Sequence, residues 1–383
     1  FLITTFFLLA PVIMMFTMSK LLKRFTNNPW ISVPAAFLYA ISPVAIAAIS
    51  TGHIATVLFL ILAPYVALLL RDIEKIEEFT WRRIAGISLL LAVLYGFSLM
   101  IFVIGLMAGL VSTLSDYEKH AKEANSQFYL LRLQKRAALI FIPFLMNVPY
   151  SLEALVHPSR LLVEPGLLIA GGGPFLTLLG NPGGANALPV WLVSPVLLVL
   201  IVSLFSSTHA RRIAEYGVGA LVLAVILSAL SVSTHGNEGS TKVWAGSVIV
   251  LFTLASVSAG TVLLDRLRET LVLSHVHYRH ILSALLLFTT FAYSVAAIGW
   301  SVTKGADSLV QTNRETVMPA FLSVEKDVKI LVLREVGSEN AKKIQYQLSR
   351  GRDISLGEPD VAPAQNSAIA EAARGLIDGS GVS

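Results

Sequence analysis

Long apolar runs alternate with short polar linkers over the first three hundred positions. The runs occupy 1–18, 31–50, 54–70, 84–114, 137–156, 189–206, 216–234, 244–264 and 281–303. A helix crosses the hydrocarbon core of a bilayer with about 20 apolar residues, so each run predicts a membrane segment. The stretch 84–114 is too long for one span and short for two. Beyond position 303 the pattern changes to short alternating runs. Val328–Arg334 and Lys343–Ser349 read as two strands, with Ile344, Tyr346 and Leu348 on one face and Glu335–Lys342 as the hairpin connection. Residues 367–377 read as a helix, with Ser367 as cap and Ile369, Ala373 and Leu376 on its apolar side. The expected fold is an all-α polytopic membrane bundle of about nine to ten segments, one broken or re-entrant, over residues 1–303. A small α/β extracytoplasmic segment follows over residues 304–383, and with two strands and one helix its core is expected to be incomplete.

Composition agrees with this pattern and narrows the class. The chain has 383 residues, 55% of them hydrophobic and 14% charged, against about 25% charged in an ordinary soluble domain. Mean hydropathy is +0.72. A soluble cytoplasmic enzyme, a disordered chain and a disulfide-stapled secreted domain are excluded. The chain contains 0 Cys, which removes thiol nucleophiles, thiolate metal sites and disulfides. It starts Phe1-Leu2-Ile3 without a basic leader region, so a further segment is expected upstream.

Charge then sets an expected orientation. Residues 304–383 hold 10 of the 29 basic and 11 of the 24 acidic residues, so the basic excess belongs to the membrane part. Linkers 19–30, 71–83, 115–136, 207–215 and 265–280 are rich in Lys and Arg, whereas 51–53 has none, 157–188 has only Arg160 and 235–243 only Lys242. Basic loops stay on the cytoplasmic side. All linkers obey this rule only if 84–114 enters and returns, with a break near Gly96, Gly105 or Gly109. Residues 51–53, 157–188, 235–243 and the tail are then outside, in a multi-pass protein of the plasma membrane. The net basic charge is a topology signal here, and no nucleic-acid partner is expected.

Ionisable groups at membrane depth are costly and mark functional positions. Glu153 and His157, four apart, share a face if their helix persists. A carboxylate and an imidazole at an outer cavity suit proton transfer, which makes them the catalytic candidates. An exposed snorkelling cluster is the other reading. His53, in the turn Thr51-Gly52-His53, is either a substrate contact or an interfacial turn residue. Arg160 and Trp191 complete the expected substrate contacts. The segment 157–188 carries Gly171-Gly172-Gly173-Pro174 and Asn181-Pro182-Gly183-Gly184 among apolar residues, and predicts a piece that dips into the outer leaflet or roofs a cavity. It has no nucleotide-loop spacing. The cluster His275, His277, Arg279 and His280 reads as a basic membrane-surface loop rather than a metal site, and Arg71–Glu78 as a solvated amphipathic linker. No metal and no cofactor are expected.

Three stretches carry a resemblance: Phe37–Tyr65, Pro182–Leu192 leading into a span, and Lys329–Asp360. They resemble the C-terminal membrane region of the large actinobacterial family 2 glycosyltransferases of cell-envelope assembly. Those enzymes join a cytoplasmic nucleotide-sugar transferase domain to a many-span region with an outer domain. The sequence has neither an Asp-x-Asp nor a Gln-x-x-Arg-Trp motif, so the resemblance implies that the family 2 catalytic domain lies outside this chain. It also implies partners: the lipid bilayer, and a polyprenyl-phosphate-linked sugar or cell-wall glycan. A transporter or flippase of a lipid-linked glycan, and a non-enzymatic scaffold, are the alternatives.

Overall fold

The computed structural model describes residues 2–70, 73–120, 126–156, 158–162, 171–184, 187–190, 192, 195–206, 208–233, 240–272, 278–305, 329–338 and 341–350. The α-helices in chain order are α1 (Leu2–Leu22), α2 (Pro29–Ala40), α3 (Pro43–Thr51), α4 (Ile54–Leu69), α5 (Trp81–Phe97), α6 (Met100–His120) and α7 (Ser126–Met146). They continue with α8 (Tyr150–Val156), α9 (Gly173–Leu178), α10 (Pro195–Leu204), α11 (Thr208–Ala229), α12 (Gly246–Val272) and α13 (Tyr278–Trp300). Strands are β1 (Ser231–Ser233), β2 (Ser240–Lys242), β3 (Lys329–Ser338) and β4 (Ala341–Arg350). The chain divides into two compact units.

The first unit comprises Phe1–Glu164, Ile169–Ser231 and Lys242–Leu309 and is a multi-pass membrane bundle. Four helical stretches are long and apolar enough to cross a bilayer: Ile3–Leu22, Pro29–Thr51, His209–Ala229 and Gly246–Arg268. A fifth, Tyr129–Met146 with Tyr150–Val156, is bent by 99°. Ile54–Leu69, Met100–Leu114 and Pro195–Leu204 are shorter apolar helices. Length and composition thus support fewer crossings among the described residues than the nine to ten segments expected from the apolar runs. The run 84–114 is divided, as its length requires: α5 ends at Phe97, Ser98-Leu99 interrupts, and α6 begins at Met100.

Helix ends follow the residues that start and stop them. Asn28 caps α2 by accepting the Trp30 N–H at 3.1 Å, and Pro29 and Pro43 stand where a helix needs no donor. Proline inside a helix orphans a carbonyl four residues earlier. Pro64 leaves the Leu60 carbonyl without its helical donor, and the buried Tyr39 hydroxyl donates to that oxygen at 2.9 Å. At the break between α2 and α3, the Tyr293 hydroxyl donates to the Ile41 carbonyl at 2.9 Å. These bonds tie α2 to α4 and to α13 at points where the backbone would otherwise be unsatisfied in lipid.

Helix α12 is central, with 78% of its span buried, and it packs on α2, α4, α10 and α11. Helix α1 is peripheral. Its Leu8, Leu9, Val12 and Phe16 are more than half exposed, an arrangement suited to lipid and not to water.

The linker after α4 is solvated on one side, where Lys75 and Glu78 keep 67% of their side chains exposed, and packed on the other. A 3-10 helix, Ile73–Glu78, sends Ile76 inward with Phe79 to pack on Ile84, Ile87 and Leu139. Glu77 receives two hydrogen bonds of 2.8 Å from Arg132. The same guanidinium lies 3.4 Å from Asp116, which also takes a 2.7 Å bond from Arg136. Lys135 donates to the Glu77 carbonyl at 2.5 Å and to the Phe79 carbonyl at 2.7 Å. Arg83 caps the last turn of α4 through the Leu69 carbonyl, 2.8 Å away, and its guanidinium lies 3.6 Å above the Phe79 ring. Burial pushes the Glu77 carboxyl up. The hydrogen bonds and charge of Arg132 outweigh that and hold it below its ordinary value of 4.5.

The second unit comprises Pro165–Leu168, Val232–Thr241 and Val310–Ser383. In it β3 and β4 pair antiparallel, with Leu331 opposite Leu348 and Leu333 opposite Tyr346. The hairpin expected from alternation is present. Its strands run further than expected, to Ser338 opposite Ala341. The helix expected at 367–377 lies outside the described residues, so of the expected α/β tail only the two strands are described.

Candidate functional site

The glycine-rich segment singled out by its composition folds back on itself. The Gly172 N–H donates to the Pro182 carbonyl at 2.7 Å. Asn181 closes the turn beyond: its side-chain oxygen accepts the Gly183 N–H at 3.0 Å and its amide donates to the Leu188 carbonyl at 2.9 Å. Between the two ends lies α9, packed on α11. The two backbones touch at Gly183 (φ +85), where a Cβ would sit 2.4 Å from both Cα and N of Gly172. Side chains are excluded there by conformation and by space.

This doubled loop rests on the turn between α3 and α4. Gly52 (φ +75) ends α3, and the His53 N–H donates back to the Ala48 carbonyl at 2.9 Å. The His53 ring, 8% exposed, stacks on the Trp244 indole with centroids 3.8 Å apart and planes at 14°. One turn later on α4, Thr56 accepts the Trp244 indole N–H at 3.0 Å. A Cβ on Gly184 (φ +101) would meet Thr51 at 2.5 Å and Trp244 at 3.5 Å. The turn Thr51–His53, the segment 171–184 and the start of α12 therefore form one packed node. His53 acts there through ring stacking and burial, and Trp244 is the residue that joins the three parts.

The candidates from the sequence fall in different places. His53 is in the node. Glu153 is exposed on α8, the short arm beyond the 99° bend. That helix ends at Val156, and a 3-10 helix runs from Pro158 to Leu161. His157 lies outside the described residues, and so does Trp191. Arg160 is in the 3-10 helix, its side chain outside the description. Of the other four candidates, only Glu153 has a side chain among the described residues. His275 and His277 lie outside the described residues as well. No group of three metal-ligating side chains occurs among the described residues. Sequence reading passed over Trp244, whose signal was faint: a tryptophan two residues ahead of Gly246 at the head of an uninterrupted apolar run. It also passed over the Glu77–Arg132–Asp116–Arg136 network, whose partners are 16 to 55 positions apart.

The bend at the end of α7 is fastened by Asn147. Its amide donates to the Pro143 and Ala92 carbonyls, each at 2.9 Å. The end of α7, just ahead of the α8 arm that carries Glu153, is thereby tied to α5. Comparison with family models, curated proteins and solved structures finds no match to this chain.

Proposed function

We propose that this chain is the membrane-embedded portion of a glycosyltransferase of cell-wall or envelope polysaccharide biosynthesis. It anchors the enzyme and binds a lipid-linked sugar at the outer face. The observation that carries the reading is the node. Two of the three stretches that resemble envelope glycosyltransferases, Phe37–Tyr65 and Pro182–Leu192, meet there through Thr51 and Gly184. Residues of the resemblance thus build one place rather than scattered parts of the bundle.

The orientation follows from the basic linkers. Exposed aromatic residues stand beside those same linkers: Trp30, Trp81 and Tyr216, as at the rim of a bilayer. In this reading the Glu77–Arg132 network is cytoplasmic, and the node and the tail are outside. The chain has 0 Cys, so single cysteines report topology cleanly. A cysteine at 165 or at 340 is expected to react with a membrane-impermeant maleimide in intact cells. Reaction only after permeabilisation would reverse the orientation.

The catalytic form of the proposal gives Glu153 a proton-transfer role. Positioned acid–base groups contribute about a hundredfold or more to rate. In the full-length enzyme, Glu153→Gln is expected to lower the rate of glycan formation by about that factor, with protein level unchanged. Unaltered product would reduce the region to an anchor. Lipid-linked glycan flux through this region alone, without sugar transfer, would favour a transporter instead.

A further inference from the structure

We propose that β3 pairs edge to edge with β3 of a second copy of this chain, which joins two hairpins into one sheet. The inference goes beyond the glycosyltransferase reading and does not depend on it. Among the described residues β3 pairs only with β4, and a ribbon of two strands is marginal in water. The two strands differ in pattern. In β4 apolar Ile344, Tyr346 and Leu348 alternate with polar Lys343, Gln345, Gln347 and Ser349. That is an outer strand with one wet face, and Lys342 and Lys343 are the charges that discourage pairing at an edge. In β3 the run Ile330-Leu331-Val332-Leu333 is unbroken, so apolar positions fall on both faces. An unbroken run belongs to an interior strand. With neither Pro nor Lys within that run, the free edge of β3 is a template for a further strand.

The residues of β3 identify that strand. Two copies of one edge meet antiparallel about a two-fold axis. Opposite residues are then both odd or both even in number, because the pleat alternates. With the axis at Val332, Leu331 lies opposite Leu333 of the second copy, and Lys329 lies opposite Glu335, each pair occurring twice. Opposite charges directly across a ladder stabilise it. An axis at Leu331 sets Lys329 against Leu333, one at Leu333 sets Leu331 against Glu335, and one at Arg334 sets arginine against itself. Val332 is the only centre within β3 that pairs opposite charges. It also continues the face of Leu331, Leu333, Tyr346 and Leu348 from one copy to the other.

The chain has 0 Cys, so the test introduces single cysteines into the whole chain, in membranes and in mild detergent. Val332→Cys is expected to form a disulfide between copies under mild oxidation. Residues opposite each other in a ladder have Cα atoms about 4.5–5.5 Å apart, within disulfide reach. Gln347→Cys, opposite Val332 on the outer strand, and Lys329→Cys are expected to form little. Lys329→Glu is expected to weaken the dimer about tenfold, read as mass in detergent against concentration, and adding Glu335→Lys is expected to restore it. A strand that only misfolds is not rescued by the exchanged pair. Equal disulfide yield at all three positions, or a dimer indifferent to the Lys329→Glu reversal, overturns the proposal. So does a wild-type chain that is monomeric while its β3 amides resist hydrogen exchange, since residues of the same chain then cover the edge. A dimer that Val332→Cys fails to cross-link uses another surface and overturns it too.

Discussion

Gly183→Ala is expected to destabilise the bundle by about 3–5 kcal/mol, the largest effect of any single methyl group in the node. Two costs add. The residue sits at φ +85, a conformation that costs an L-residue about 1–2 kcal/mol. The new methyl would also stand 2.4 Å from backbone atoms of Gly172, and backbone cannot rotate aside as a side chain can. Gly52→Ala separates the two terms. Gly52 has φ +75 with nothing within 4 Å of a Cβ, so its variant is expected to lose only about 1 kcal/mol. Unfolding of the purified protein in a mild detergent, followed by tryptophan fluorescence, reads both. Equal losses for the two variants would mean that segment 171–184 does not close on itself as described.

Glu77→Gln is expected to cost about 2–3 kcal/mol. Glu77 and Arg132 are only 16% and 18% exposed, and the pair shares two 2.8 Å bonds. The glutamine keeps the shape and loses the charge paired with Arg132, leaving Asp116 to face both Arg132 and Arg136. The surface pair Arg211–Glu215 is the control. Its side chains are 62% and 53% exposed, and Glu215→Gln is expected to cost about 0.5 kcal/mol or less. The pH dependence carries a definite sign. The folded carboxyl of Glu77 lies below the ordinary 4.5, so the folded state releases its proton more readily than the unfolded state. Its contribution is therefore full above 4.5 and is lost as pH falls through the lowered folded value. The wild-type melting temperature should drop in that acid window, and Glu77→Gln should flatten the drop. A parallel acid profile for the two proteins would show that the network does not depend on this charge.

The linker that carries Glu77 shows where sequence reading stopped. Its run of charges has the pattern of a solvated strip, and Ile73 and Ile76 alone do not define a face. What holds its inner side is α7, where Arg132, 55 positions away, bonds Glu77, and no local period records such a partner. The tail is the opposite case. Alternation at Ile344, Tyr346 and Leu348 identified a strand, and pairing placed Leu348 and Tyr346 opposite Leu331 and Leu333. Only the extent was missed, because backbone hydrogen bonds continue the ladder through polar residues that carry no hydrophobic signal. His53 lies between the two. The sequence marked it as an unusual residue in a turn without basic neighbours, yet its partner Trp244 is close only after the bundle has formed.

The sequence by itself determined that this is a multi-pass helical membrane protein with a polar tail, since apolar run length and the scarcity of charge follow from the solvent in which each segment rests. It also determined that 84–114 breaks, and that 157–188 is unusual. Which glycines meet, which aromatic residue joins the α3–α4 turn to α12, and which acids neutralise α7 were decided by tertiary structure alone. The reason is physical. Burial in lipid is a property of each segment's own side chains, whereas stacking, close backbone approach and ion pairing depend on short-range contact between residues the chain holds far apart.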